Sequence, residues 1–175
     1  MSNQGLSIKS IEHVRGHKLP IAEYLAERFP DKQLWPSDRL ARARARSVCA
    51  EMHSGFGALR SHFPMNIEAF LPEVGERVLR EQATARDDLA RIVQMWTELL
   101  AAHGGPLLFG RFSIADAFFA PVVMRVATYA LPLPAALSDY VATVKALPAV
   151  QAWMADARAE KDFVPFDEPY RQSST

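Results

Sequence analysis

The sequence FGRFSIADAFFAP, at residues 109–121, is the most specific segment of this chain. Ser113 and Asp116 have the spacing of a helix N-cap residue and the third residue of its helix. At this spacing the serine oxygen can accept from the Asp116 amide, while the aspartate accepts from the Ser113 amide. The residues that follow, up to Tyr129, are apolar on nearly every side. The pattern predicts a capped helix in the centre of a domain, kinked at Pro121.

Apolar residues at helical spacing extend toward the N-terminus from this segment. One helix is predicted over Leu19–Phe29 and is ended by Pro30. A second is predicted from the N-cap residue Ser37 to Phe63, with a bend or a close helix contact near Gly55 and Gly57.

A third long helix is predicted from about Val74 to His103, because apolar residues recur there every seven positions. On the other side of the capped helix, two shorter helices are predicted near residues 135–146 and 148–160. No strand alternation is found, so the predicted fold class is all-α. The tail after residue 160 is predicted to pack back in extended form, because prolines separate its aromatic residues.

The composition limits the function classes. The 175 residues fit one domain, and 49% apolar with 23% charged residues is typical of a soluble globular protein. Twenty basic and twenty acidic residues cancel, which argues against nucleic acid as a partner. No apolar run reaches the roughly 18 residues of a membrane span, and no secretory signal is visible, so a cytoplasmic location is expected. The single cysteine, Cys49, excludes an internal disulfide and is predicted to be a core residue.

In this context the Gly-x-aromatic-Ser-Ile-Ala-Asp string resembles the capping box in the C-terminal domain of cytosolic glutathione transferases. Three other segments agree with this resemblance. IAEYLAERFPDKQLWPSD resembles the last helix of the family's thioredoxin-like domain and its linker, ARARSVCAEMHSGF the first helix of the helical domain, and LPAVQAWMADA its closing helix. The resemblance implies a glutathione transferase C-terminal-like helical bundle over residues 31–175. It also implies a remnant or remodelled N-terminal segment over residues 1–30.

The chain departs from the family at its N-terminus. No counterpart of the family's thiol-activating residue or cis-proline turn is found, and His17 and Lys18 stand where the family has its acidic-Ser pair. The resemblance therefore implies a truncated transferase-like protein with no catalytic residue. It would have no cofactor on its own, and would use glutathione only if the missing domain is supplied. The alternatives are a protein-interaction module, a ligand-binding helical domain, a fragment of an active glutathione transferase, or an enzyme of unrelated chemistry.

The resemblance also implies a binding site for a hydrophobic small molecule. By analogy the site would be lined by Met52, His53, Phe56, Arg125 and Tyr129. For Met52 and Phe56 a place in the core is the simpler interpretation, and for His53 a place on the surface. A charge such as Arg125 in an apolar helix requires either an ion pair or a cavity, and both remain open.

Two remaining groups of residues concern metals and partners. His13 and His17 have the i,i+4 spacing of a helical metal site, but no third ligand is evident, so no metal is expected. The basic run Arg39–Arg46 suits a solvated or subunit-facing surface. A helical domain without its thioredoxin-like partner would expose an apolar face, so a homodimer is expected.

Overall fold

The protein is all-helical in the computed structural model, which describes residues 18–160 and 169–170. The helices are α1 (Lys18–Arg28), α2 (Arg39–Ser54), α3 (Gly57–His62), α4 (Pro72–Glu81), α5 (Ala83–His103), α6 (Ile114–Thr128), α7 (Ala135–Ala146) and α8 (Pro148–Glu160), with a short 3-10 turn at Pro30–Lys32. No strand is present in these residues beyond an isolated bridge between Phe109 and Arg111. The predicted all-α class is therefore confirmed. None of these helices combines the length and apolarity that a bilayer crossing needs.

Helix α6 forms the centre of the domain and packs against α2 and α7. Two thirds of its residues are buried: Ile114, Ala115, Asp116, Phe119, Ala120, Val122, Val123, Met124, Val126 and Thr128. The helix continues through Pro121 to Thr128. A helix that is apolar on all sides is stable only where neighbours cover every face, which is the position that the sequence predicts for it.

Both halves of the capping box between Ser113 and Asp116 are present at the start of α6. One Asp116 carboxylate oxygen accepts from the Ser113 amide at 2.9 Å and from the Ser113 hydroxyl at 3.1 Å. The other accepts from the Leu108 amide at 3.1 Å and the Tyr140 hydroxyl at 3.4 Å. Burial raises the pKa of the Asp116 carboxyl, although the bonds from Leu108 and Ser113 act in the opposite direction. The carboxylate therefore joins the start of α6 to the preceding loop and to α7.

Three helix boundaries differ from the prediction. The N-cap residue of α2 is Asp38 rather than Ser37, because the Asp38 carboxylate accepts from the Ala41 amide at 2.8 Å. The predicted bend after α2 is a full break at Gly55 and Phe56, after which α3 begins. The helix predicted over Val74–His103 is two helices, α4 and α5, separated by Gln82 in an extended conformation.

The break at Gln82 is stabilised by a side chain from α5. Arg86 donates through Nη1 to the carbonyl oxygens of Leu79 and Arg80, at 2.6 and 3.1 Å. Carbonyl groups in the last turn of a helix lack partners within that helix, and a basic side chain can satisfy them. Arg86 thus takes over part of the bonding that a continuous helix would supply.

The chain beyond α8 is described only at Pro169 and Tyr170, so the prediction for the rest of the tail lies outside the described residues. The Tyr170 hydroxyl donates to the His62 carbonyl oxygen at 3.0 Å. Its ring lies 6.1 Å from the ring of Tyr129 and 5.8 Å from the Arg77 guanidinium carbon. Tyr170 therefore packs on the helical body beside α3, α4 and α6.

Candidate functional site

A cavity of about 650 Å³ lies among α1, α2, α3, α6 and α8. Its walls combine basic and apolar side chains. The lining residues are Lys18, Met52, His53, Arg60, Met65, Ala117, Phe118, Pro121, Arg125 and Trp153. A volume of this size is within the range of small-molecule sites in proteins.

Three of the five residues expected to line a substrate site are brought together at this cavity. Met52 and His53 approach it from the last turn of α2, and Arg125 from α6. Helix α6 is positioned there by its buried capping box and by its packing against α2. The sequence left two explanations open for the charge of Arg125, an ion pair or a cavity, and in the structure Arg125 lies at a cavity.

Phe56 and Tyr129 do not line this cavity, so the structure does not place them with the other three predicted residues. The break after α2 gives Phe56 a left-handed φ of 56°, and its side chain is buried in the core. Tyr129 is buried beside Phe63, with ring centroids 5.0 Å apart, and its hydroxyl donates to the Pro64 carbonyl oxygen at 2.8 Å. Tyr129 thus joins the end of α6 to the segment that follows α3.

Sequence reasoning missed seven of the ten lining residues: Lys18, Arg60, Met65, Ala117, Phe118, Pro121 and Trp153. They lie in α1, α3, α6 and α8 and in the segment after α3, far apart in the chain. No spacing rule connects these segments, because only the packing of the helices brings them to one place. Trp153 is 38% exposed in the structure, which is high for a large apolar side chain, but nothing in the sequence marks that exposure.

Backbone carbonyl groups hold Arg125 in the cavity wall. Its Nε donates to the Phe63 oxygen at 2.7 Å and its Nη1 to the Pro121 oxygen at 3.1 Å. No carboxylate pairs with Arg125 among the described residues. Burial lowers the pKa of this guanidinium, and the neighbouring charge of Arg60 lowers it further. Arg125 is therefore a half-buried cation whose charge has no acidic partner in the described part of the chain.

Arg60 occupies the neighbouring part of the wall. Its Nη1 donates to the Met52 carbonyl oxygen at 3.2 Å, near the C-terminal end of α2. This contact fixes the guanidinium by one edge and satisfies a terminal carbonyl of that helix. Two arginines from different helices thus face one cavity, each oriented by backbone oxygens.

The cavity lining offers apolar and cationic side chains. Among the described residues that line it, there is no serine, threonine, tyrosine or cysteine. Within residues 18–160 and 169–170, no three His, Cys, Asp or Glu side chains are grouped closely enough to hold a metal ion. His13 and His17, whose spacing raised that possibility, lie outside the described residues.

The sequence of the chain matches a known protein family. A protein-family model described as the glutathione S-transferase C-terminal domain matches residues 41–156. The chain belongs to the glutathione S-transferase family. The matched residues include every lining residue of the cavity except Lys18. The cavity therefore lies almost wholly within the segment that matches the family model.

Solved structures support the same assignment. Seven solved chains match, among them the crystal structure of a glutathione transferase homolog from Burkholderia gl BGR1 with bound glutathione. That structure is 27% identical, with a TM-score of 0.59, over 83% of this chain and 68% of the other. The curated proteins gave no match.

Proposed function

We propose that this glutathione S-transferase domain binds a small molecule with an apolar body in the cavity, as the helical side of a transferase substrate site. The observation that carries the proposal is the apolar wall of Met52, Met65, Phe118 and Trp153 in a space of about 650 Å³. Met65 and Trp153 are 37% and 38% exposed, so they offer apolar surface that a ligand can cover. Burial of such surface is the main favourable contribution to binding an apolar group.

We further propose that transferase activity requires a thioredoxin-like domain in addition to the helices described. Activation of a thiol needs a group that stabilises the thiolate, and the cavity lining offers no hydroxyl or thiol for this purpose. The sole cysteine, Cys49, is buried away from the cavity, and burial raises its pKa to about 12. The described helices therefore supply the binding of an apolar group and leave glutathione to another domain.

A cavity-filling variant tests the binding proposal. Ala117 lines the cavity, and Ala117→Trp should occupy part of the space. We expect this variant to weaken binding of a neutral apolar dye, such as Nile red, by tenfold or more, because a ligand would have to displace the indole. Ala142→Trp, at an exposed position of α7, is the matched control and should leave the affinity unchanged. Unchanged dye affinity in Ala117→Trp would reject the cavity as the site.

The activity proposal has a separate test. The unmodified chain, mixed with glutathione and 1-chloro-2,4-dinitrobenzene, should form conjugate no faster than the uncatalysed reaction. Addition of a thioredoxin-like domain from a glutathione transferase, joined in frame, should restore turnover. Clear turnover by the unmodified chain would contradict the proposal.

A homodimer is the second part of the proposed function. Leu40 in the first turn of α2 is 79% exposed and Phe70 is 72% exposed, which are high values for large apolar side chains. Apolar surface of this kind favours contact with a second copy of the chain or with another protein. We commit to the second copy, since symmetric dimers are the commonest assemblies.

The division of the chain at residue 30 and a cytoplasmic location also remain proposals. Helix α1 lies against α2, where Glu23 pairs with Arg46 at 2.6 Å. Limited proteolysis should cut first in the linker at residues 31–38 if the two parts are separate units. Cell fractionation checks the location.

A further inference from the structure

We propose that the natural ligand of the cavity is an organic anion, with an apolar body and a carboxylate or sulfonate group that Arg60 and Arg125 bind. This inference rests on the proposed function, because it specifies the charge of the molecule that enters the same cavity. If the natural ligand were an uncharged apolar electrophile, the proposed function would hold and this inference would be wrong.

The first support is the balance of charge in the cavity wall. Three of its lining residues are lysine or arginine, namely Lys18, Arg60 and Arg125, and no acidic residue is among the described residues that line it. The chain as a whole has equal numbers of acidic and basic residues, so the composition does not explain this excess. A concave site lined by one sign of charge attracts ligands of the opposite sign.

The second support is a contrast with five described arginines that form ion pairs. Arg44, Arg46, Arg80, Arg91 and Arg158 each form an ion pair with a glutamate. Arg60 and Arg125 form none within the described residues, although both are less exposed than Arg46 and Arg158. Arg39, Arg77, Arg86 and Arg111 form no ion pair with a described residue either, but they are exposed to solvent. A half-buried cation without a counter-ion is costly, and two that face one cavity also repel each other. A bound anion removes both costs.

The third support is the geometry of the two guanidinium groups. Arg125 uses Nε and Nη1 for the Phe63 and Pro121 carbonyl oxygens, and Arg60 uses Nη1 for Met52. No described residue accepts from the Nη2 group of either arginine. Their planes are therefore fixed by the backbone, while donors remain for a carboxylate or sulfonate, which guanidinium groups bind well.

A pair of probes that differ only in charge tests the proposal. 1-Pyrenebutyrate and 1-pyrenebutanol share the same apolar ring system, and their fluorescence reports binding to the full chain. We expect the acid to bind about tenfold more tightly than the alcohol, since a hydrogen bond to a charged group contributes about that factor. This advantage should shrink in 0.5 M salt, roughly where screening becomes strong, while the affinity for the alcohol stays the same.

Substitution of the arginines locates the effect. Arg60→Gln should abolish the advantage of the acid, because it removes one of the two binding guanidinium groups. Arg80→Gln, at an exposed site paired with Glu81, is the matched control and should preserve the advantage. Arg125→Gln should act like Arg60→Gln, but it also removes contacts to Phe63 and Pro121. Arg60→Gln, which leaves those contacts in place, is therefore the deciding variant.

Competition separates two sources of the anion. S-hexylglutathione should displace 1-pyrenebutyrate at lower concentration than hexanoate if the anion is a glutathione conjugate, and hexanoate should be better if it is a free acid. Equal affinity for the acid and the alcohol, or an advantage that survives Arg60→Gln, overturns this inference. A different result would overturn the proposed function. In that case Ala117→Trp would leave the affinity for both pyrene probes unchanged.

Discussion

Gly75 of α4 packs directly against the carbonyl oxygen of Tyr129, at the end of α6, and a Cβ atom on Gly75 would overlap that oxygen. The glycine is buried within a helix, so its role is the close approach of α4 to the chain after α6. We expect Gly75→Ala to lower the free energy of unfolding by about 1–3 kcal/mol, because backbone must move to admit the methyl group. Urea denaturation provides the measurement.

Gly57 provides the matched control for this prediction. It is the first residue of α3, and a Cβ there would contact nothing. Gly57→Ala should be neutral or stabilising by up to about 1 kcal/mol, because alanine has the higher helix propensity. Similar losses in both variants would show that helix–helix contact at Gly75 is not the cause.

The Asp116 carboxylate should be one of the most sensitive positions of the domain. Asp116→Ala leaves buried donors on Ser113, Leu108 and Tyr140 without an acceptor, so we expect a loss of about 3 kcal/mol. Ser113→Ala should cost about 1 kcal/mol. The double variant should cost less than the sum of the two single variants, because the two side chains bond to each other.

Asp139→Ala, on the exposed face of α7, is the control and should change the free energy of unfolding by less than about 0.5 kcal/mol. Strictly additive losses would mean that the two residues act separately.

The ion pair between Glu23 and Arg46 should contribute a pH-dependent stability. Hydrogen bonding to Arg46, at 2.6 and 2.9 Å, lowers the pKa of Glu23, while burial partly opposes this shift. A lowered folded-state pKa stabilises the fold above the unfolded value, near 4.5, and that stability is lost as pH falls through the folded value. At pH 7 we expect Glu23→Gln to lower the free energy of unfolding by about 1 kcal/mol or less, because the pair is open to solvent. The difference should shrink as the pH is lowered from 7 to 3, because the carboxylate becomes protonated.

Denaturant curves at both pH values measure this effect. Glu81→Gln, which breaks only the exposed pair with Arg80, is the control and should change stability by less than about 0.5 kcal/mol at either pH. A constant deficit of Glu23→Gln from pH 7 to 3 would rule out the ion pair as its origin.

Cys49 should be unreactive in the folded protein. It is fully buried in α2, and burial, together with the charges of Asp116 and Glu23, raises its pKa to about 12. Ellman's reagent at pH 8 should therefore label the native chain only at the rate of unfolding, since the thiolate is the reactive form. The same reagent in 8 M urea should label one thiol per chain at once. Rapid labelling without denaturant would contradict the buried position.

Leu40 provides the test of the proposed dimer. Sedimentation at micromolar concentration should show two copies per particle, and Leu40→Glu should shift the population toward monomer by placing a charge in the contact. Ala142→Glu, on the exposed side of α7, should leave the association unchanged. A clean monomer in the unsubstituted protein would refute the proposal.

Most of the fold could be predicted because strong local signals mark it. The helices over residues 135–146 and 148–160 begin and end where the sequence places them, at Pro134 and at Leu147-Pro148. The break at Gln82 could not be predicted, since no glycine or proline marks it and apolar residues seven apart, such as Val78 and Ala85, span it in register. Its bonding comes from Arg86, one turn into the next helix.

The site was harder to predict than the fold, because residues that are distant in the sequence form it. Met52, His53 and Arg125 could be placed by resemblance, because each lies in a helix that the family shares. The same resemblance predicts Phe56 at the site, but α2 ends at Ser54, and the Phe56 side chain is buried in the core. The basic character of the cavity depends on Arg60 and Lys18, which only tertiary packing brings near Arg125.

The four donors to Asp116 come from three parts of the chain, and this has a consequence for the order in which the protein folds. Before α7 docks, the carboxylate lacks the Tyr140 hydroxyl and remains accessible to water. The amide hydrogens of Leu108 and Ser113 should therefore become protected from exchange only when α6 and α7 are assembled. In native-state hydrogen exchange these two amides should open together with the core of α7, as one cooperative unit that spans residues 108–140.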